Sequence, residues 1–115
     1  MSDEPRPHFR ACARQTVSLA GALADPEGAW TRNVRVTDLG LGGACVETME
    51  SVPHGVPFEL LIEAPNLWDP LSLSARLAWM RSGTGGSQRI GLCFEQPSGA
   101  SLRTLSDLLK TAAFR

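Results

Sequence analysis

Leu71-Ser-Leu-Ser-Ala-Arg-Leu-Ala-Trp79, followed after the loop Ser82-Gly-Thr-Gly-Gly-Ser87 by Ile90-Gly-Leu-Cys-Phe94, is the stretch that decides the fold. Leu71, Leu73, Ala75, Leu77 and Trp79 recur at every second position, which puts them on one face of a strand. Ile90, Leu92 and Phe94 repeat the pattern. Two such runs joined by a short glycine-rich loop predict an antiparallel hairpin.

Moving toward the N-terminus, the same period persists. Phe58, Leu60 and Ile62 alternate with Glu59 and Glu63, and Ala44–Thr48 forms another short apolar run. Trp30–Thr37 carries Val34 and Val36 against Arg35 and Thr37, and Asp25-Pro-Glu-Gly28 before it has the composition of a turn. Val17, Leu19, Gly21 and Leu23 alternate with Thr16, Ser18, Ala20 and Ala22. Ahead of them, Pro5 and Pro7 with Arg6, His8, Arg10 and Arg14 read as an irregular, solvated stretch. Beyond Phe94 the period changes. Leu102, Leu105, Leu108, Leu109 and Ala112 recur at three and four, with Ser101 placed as the N-cap of an amphipathic helix. Six short strands and one terminal helix predict an all-β domain: a small six-stranded antiparallel barrel with the helix packed on it or across one mouth.

Length and composition agree. A chain of 115 residues and 12.3 kDa is one domain, with 43% apolar and 20% charged residues. The expected division is a flexible N-terminal arm over residues 1–8 and a single domain over 9–115. No apolar run reaches the ~18 residues a membrane-spanning helix needs. The polar first fourteen residues lack the apolar core of a secretory signal, and three cysteines without C-x-x-C spacing predict neither a disulfide framework nor a zinc site. The expected compartment is the cytoplasm. A net charge of −1 argues against a general nucleic-acid or acidic-membrane binder. Ten of the eleven basic residues are Arg, with Lys110 the exception. The abundance of Ala, Gly and Leu points to base composition for that total, so the position of an arginine carries more than the count.

Groups that converge on chemistry are scarce. His8 and His54 have no nucleophile spaced to pair with them, and Glu59 and Glu63 read as the wet side of a strand. Cys45 and Cys93 read as small strand residues, while Cys12 between Arg10 and Arg14 is a weak redox candidate. The Ser82–Ser87 loop lacks the Lys-Ser/Thr and the following helix of a phosphate-binding loop, and Gly40–Gly43 is followed by a strand. The expectation is that the chain is not an enzyme and has no metal site and no cofactor.

Two short motifs remain. Arg10-Ala-Cys-Ala-Arg14 holds two guanidinium groups four residues apart, and Asp38-Leu-Gly-Leu-Gly-Gly43 holds an acid and three glycines, read as a tight turn between two strands. Either alone is common. Together, and with Val36–Glu47, Ser74–Arg81 and Arg89-Ile-Gly-Leu-Cys-Phe94 in the right order, they resemble the PilZ family of cyclic di-GMP receptors over roughly residues 9–112. That family carries R-x-x-x-R followed by [DN]-x-S-x-x-G. The resemblance implies a six-stranded barrel with a C-terminal helix, the architecture the periodicity predicts independently.

It also implies a site. Arg10 and Arg14 would clamp the ligand, since a guanidinium forks onto phosphate or guanine O6/N7 and stacks on bases. Asp38 would accept hydrogen bonds from the N1–H and N2–H₂ of a guanine, Gly43 would admit close backbone approach or positive φ, and Gly40 is a further ligand-binding position. Gly40 replaces the family's Ser, which removes a hydroxyl worth ~0.5–1.5 kcal/mol. Phe9 stands where some members have another Arg, so the site is less suited to a stacked ligand dimer unless Arg6 substitutes. The function implied is a stand-alone cyclic di-GMP receptor, bacterial, that signals to an unidentified effector protein as its arm becomes ordered. The alternative is a degenerate module that binds no nucleotide and acts through protein contacts in pilus or motility regulation. A barrel binding nucleic acid is disfavoured by the charge and by the absence of Tyr. Neither nucleic acid nor membrane is an expected partner.

Overall fold

The computed structural model describes residues 14–53, 55–64 and 68–112, with Arg14, Thr84, Thr111 and Ala112 by their backbone alone. Six strands precede one helix: β1 Arg14–Ala24, β2 Thr31–Gly40, β3 Gly43–Thr48, β4 Phe58–Ile62, β5 Leu71–Ser82, β6 Gln88–Phe94, and α1 Gly99–Ala112. The strands close in the order β1-β2-β3-β6-β5-β4, with every neighbour antiparallel and β4 returning to β1. Closure pairs every edge, which satisfies the backbone groups an open sheet would expose. This is the all-β six-stranded barrel with a terminal helix that the sequence predicts.

Alternation builds the core. Leu23, Val36, Leu39, Val46, Phe58, Leu60, Ile62, Leu73, Ile90 and Leu92 are all at most 2% exposed and point into the barrel. Each buried Leu, Ile or Phe contributes on the order of 1.5–3 kcal/mol. Leu105, Leu108 and Leu109 of α1 join the same cluster. The helix touches β5, β1 and β2, and β5 and β1 are separated by β4, so α1 lies across a mouth of the barrel.

The Asp25 turn forms as expected. Gly28 N–H donates to Asp25 O at 2.9 Å, Ala29 N–H donates to Asp25 Oδ2 at 3.0 Å, and Gly28 takes φ 85°.

Three local readings are corrected. The turn expected over Asp38–Gly43 shrinks to Leu41 and Gly42, because Leu39 is fully buried opposite Ala44 and its burial carries β2 through to Gly40. Trp79 does not share the face of Leu71–Leu77. The register shifts between Leu77 and Trp79, so Leu77 pairs with buried Leu92 while Trp79 pairs with Gly91, and the bulge turns the indole to the outside. The helix starts at Gly99, before Ser101. Ser98 is the N-cap: its Oγ accepts the Ser101 N–H at 3.1 Å, and its carbonyl accepts the Leu102 N–H at 2.9 Å.

Candidate functional site

Arg14 was placed by its sequence context in the arm, yet its backbone begins β1. In the β1–β2 ladder Arg14 stands opposite Gly40, Gln15 opposite Leu39 and Thr16 opposite Asp38. The last residue of the arginine motif and the third of the Asp–Gly motif are therefore cross-strand partners. Arg10 lies outside the described residues, as does the whole arm expected over residues 1–8.

Across β3 and β6 the same rows continue. Asp38 pairs with Cys45, Cys45 with Gly91, and Gly91 with Trp79. Leu39, Ala44, Leu92 and Val46 on either side point inward, so this row faces out. Gly40 and Gly43 are both buried, and Gly43 pairs with Cys93. Positive φ among the described glycines occurs at Gly28, Gly55, Gly85 and Gly86. Gly40 and Gly43 thus hold ordinary strand backbone, which corrects the positive-φ part of the expectation at Gly43.

A second outward row lies one step away: Arg35, Glu47, Arg89 and Arg81, on β2, β3, β6 and β5 in turn. Arg35 Nη2 is 3.5 Å from Glu47 Oε1, Arg89 Nε is 3.8 Å from Glu47 Oε2, and Arg89 Nη2 is 4.0 Å from Asp38 Oδ2. These side chains are 30–64% exposed, so each pair is worth only ~0.2–1 kcal/mol and the chain of charges is not a stability device. A groove of about 940 Å³ opens along this row, lined by Asn33, Arg35, Glu47, Met49, Arg81 and Arg89 among others. Arg81 stacks over the Trp79 ring, 4.9 Å from its centroid. The Trp79 indole lies flat on Gly91, where a Cβ would overlap it.

Sequence reading did not single out Arg89 or Glu47. The signal was present, since both alternate with core residues on strands already assigned. Only the register shows that Arg89 meets both Asp38 and Glu47. Cys45 is buried and Cys93 half-buried, both as free thiols. Among the described residues no three His, Cys, Asp or Glu gather as a metal site, and no described helix is long and apolar enough to cross a membrane.

The barrel resembles those of several solved proteins. The PilZ structure of YcgR from Escherichia coli, solved with c-di-GMP, superposes with a TM-score of 0.73 at 18% identity, covering 90% of this chain and 91% of that one. The PilZ domain of CeSA from a cellulose-synthesizing bacterium gives 0.61 at 19% identity, covering 84% and 93%. The inhibitor of motility MotI/DgrA from Bacillus subtilis gives 0.65 at 15% identity; 84% of this chain spans 47% of that longer protein. No curated protein matches the sequence significantly. The PilZ domain model matches residues 4–111, from the arm before Arg10 to the end of the terminal helix. With a closed six-stranded barrel that sets Arg14 against Gly40, and the family model matched over residues 4–111 of its 115, this chain belongs to the PilZ domain family.

Proposed function

We propose that this chain is a cyclic di-GMP receptor that binds the nucleotide on the outer face around the β1–β2 ladder. The observation that carries the reading is the pairing of Arg14 with Gly40 and of Thr16 with Asp38, which joins two motifs separated by more than twenty residues of sequence. A bis-guanine, bis-phosphate ligand needs cations, a carboxylate acceptor and an uncrowded backbone in one place. Arg10 and Arg14 supply the cations, forking onto phosphate or guanine. Asp38 accepts from a guanine N1–H and N2–H₂, and Gly40 and Gly43 put no side chain between the backbone and the ligand.

Binding would act through the arm. Arg10 gains charge-assisted partners only when residues before β1 fold onto the ligand, and ordering each residue costs about 1–2 kcal/mol. Closure is then ligand-dependent, and the surface it creates is what a separate effector protein would read. The MotI/DgrA neighbour is an inhibitor of motility, which makes motility control one candidate output. The chemistry assigned is recognition alone, with no catalytic step, and the expected setting is the bacterial cytoplasm.

Calorimetric titration with cyclic di-GMP tests the reading. Saturable binding supports it. Absence of binding would favour the protein-interaction alternative, to which replacement of the family Ser by Gly40 already lends some weight.

A further inference from the structure

We infer that Arg89 is a specificity-determining residue that, with Asp38, reads the complete Watson–Crick edge of a guanine and excludes adenine; this rests on the cyclic di-GMP reading above. Arg89 Nε is buried without a hydrogen-bond partner, with Glu47 Oε2 standing off at 3.8 Å. Its Nη2 reaches only the soft acceptor Cys45 Sγ at 3.8 Å, and Asp38 Oδ2 at 4.0 Å is beyond hydrogen-bond range. Among the described residues neither Nε nor Nη2 hydrogen-bonds an oxygen. Such a donor, on the outer face and bordering a groove, is poised for a ligand acceptor.

The neighbours select which acceptor. Arg89 is flanked by the carboxylates of Asp38 and Glu47, so its charge is already compensated. A phosphate placed there would be repelled by both acids. A neutral base that offers donors to Asp38 and an acceptor to Arg89 would not. Guanine presents N2–H and N1–H beside O6, donor, donor, acceptor. The carboxylate takes the first two and the adjacent guanidinium takes O6. Adenine presents an acceptor at N1 and a donor at N6, so it meets Asp38 and Arg89 with like against like at both positions. Glu47, itself held by Arg35 at 3.5 Å, orients Arg89 from the far side.

The test measures affinity of the whole chain for cyclic di-GMP, cyclic di-AMP and cyclic di-IMP, for the natural protein and for Arg89→Met and Arg89→Lys. Hypoxanthine keeps O6 and N1–H and loses only the N2 amine. The natural protein is expected to bind the inosine analogue within about tenfold of the guanine ligand and the adenine analogue at least about a hundredfold more weakly. Arg89→Met should cost the guanine ligand about 10–100-fold and leave the adenine ligand within a few-fold. Arg89→Lys should retain part of the preference. Equal weakening of guanine and adenine ligands in Arg89→Met would indicate a phosphate contact and overturn the inference. So would an unchanged guanine preference, or an inosine analogue bound no better than the adenine one, a comparison that needs no variant to fold. A natural protein that binds none of the three would overturn the receptor reading itself, and this inference with it.

Discussion

Arg14 and Gly40 are cross-strand partners, the first residue of β1 against the last of β2. Half of the arginine motif is thus fixed by the ladder rather than by the arm, and it sits beside the position where this chain lacks the family's hydroxyl. In the proposed clamp, the backbone of Arg14 is set by this ladder.

That pairing makes Gly40→Ser informative. Gly40 has strand backbone without positive φ, so a serine is tolerated there conformationally. Its hydroxyl is expected to tighten cyclic di-GMP binding by up to about tenfold, measured by titration. Weakened binding would show that the second motif is aligned only in form.

Gly91→Ala is expected to dislodge Trp79. The new Cβ overlaps the indole, which has to swing off the strand and release the Arg81 stack. Overpacking of this kind costs about 1–3 kcal/mol, read as a lower denaturation midpoint with a changed near-ultraviolet circular dichroism band. Identical spectra and midpoint would contradict the outward, glycine-seated Trp79.

The helix cap separates two serines. Ser98→Ala should destabilise the protein by about 0.5–2 kcal/mol, because the Ser101 amide loses its acceptor. Ser101→Ala should change the midpoint far less. The reverse ranking would restore Ser101 as the cap.

The Val34/Val36, Leu60/Ile62 and Leu71/Leu73 alternations were legible because a half-buried strand has a strict period of two. A bulge breaks that period without leaving a compositional trace, which is why Trp79 was assigned to the core face. Leu39 was read into a turn because glycines surround it, and its burial overrides them. Arg10, Arg14, Asp38, Gly40 and Gly43 are site candidates through the resemblance to the PilZ family. Arg89 is not, since its meeting with Asp38 depends on the β3–β6 register, a non-local pairing.

Amide hydrogen exchange tests the arm as a switch. Residues 6–13 should exchange freely without nucleotide and become protected with it, while 71–80 and 89–94 stay protected throughout. An arm protected in both states would make it a fixed surface, as the protein-interaction alternative requires.

The most direct test of the central claim is calorimetric titration of cyclic di-GMP into the natural protein, Arg10→Ala, Arg14→Ala and Asp38→Ala, each checked for an unchanged melting temperature. The account predicts saturable binding to the natural protein, with a loss of about 10–100-fold for each substitution, corresponding to ~1.5–3 kcal/mol. No binding to the natural protein, or the same affinity in all four, would contradict it.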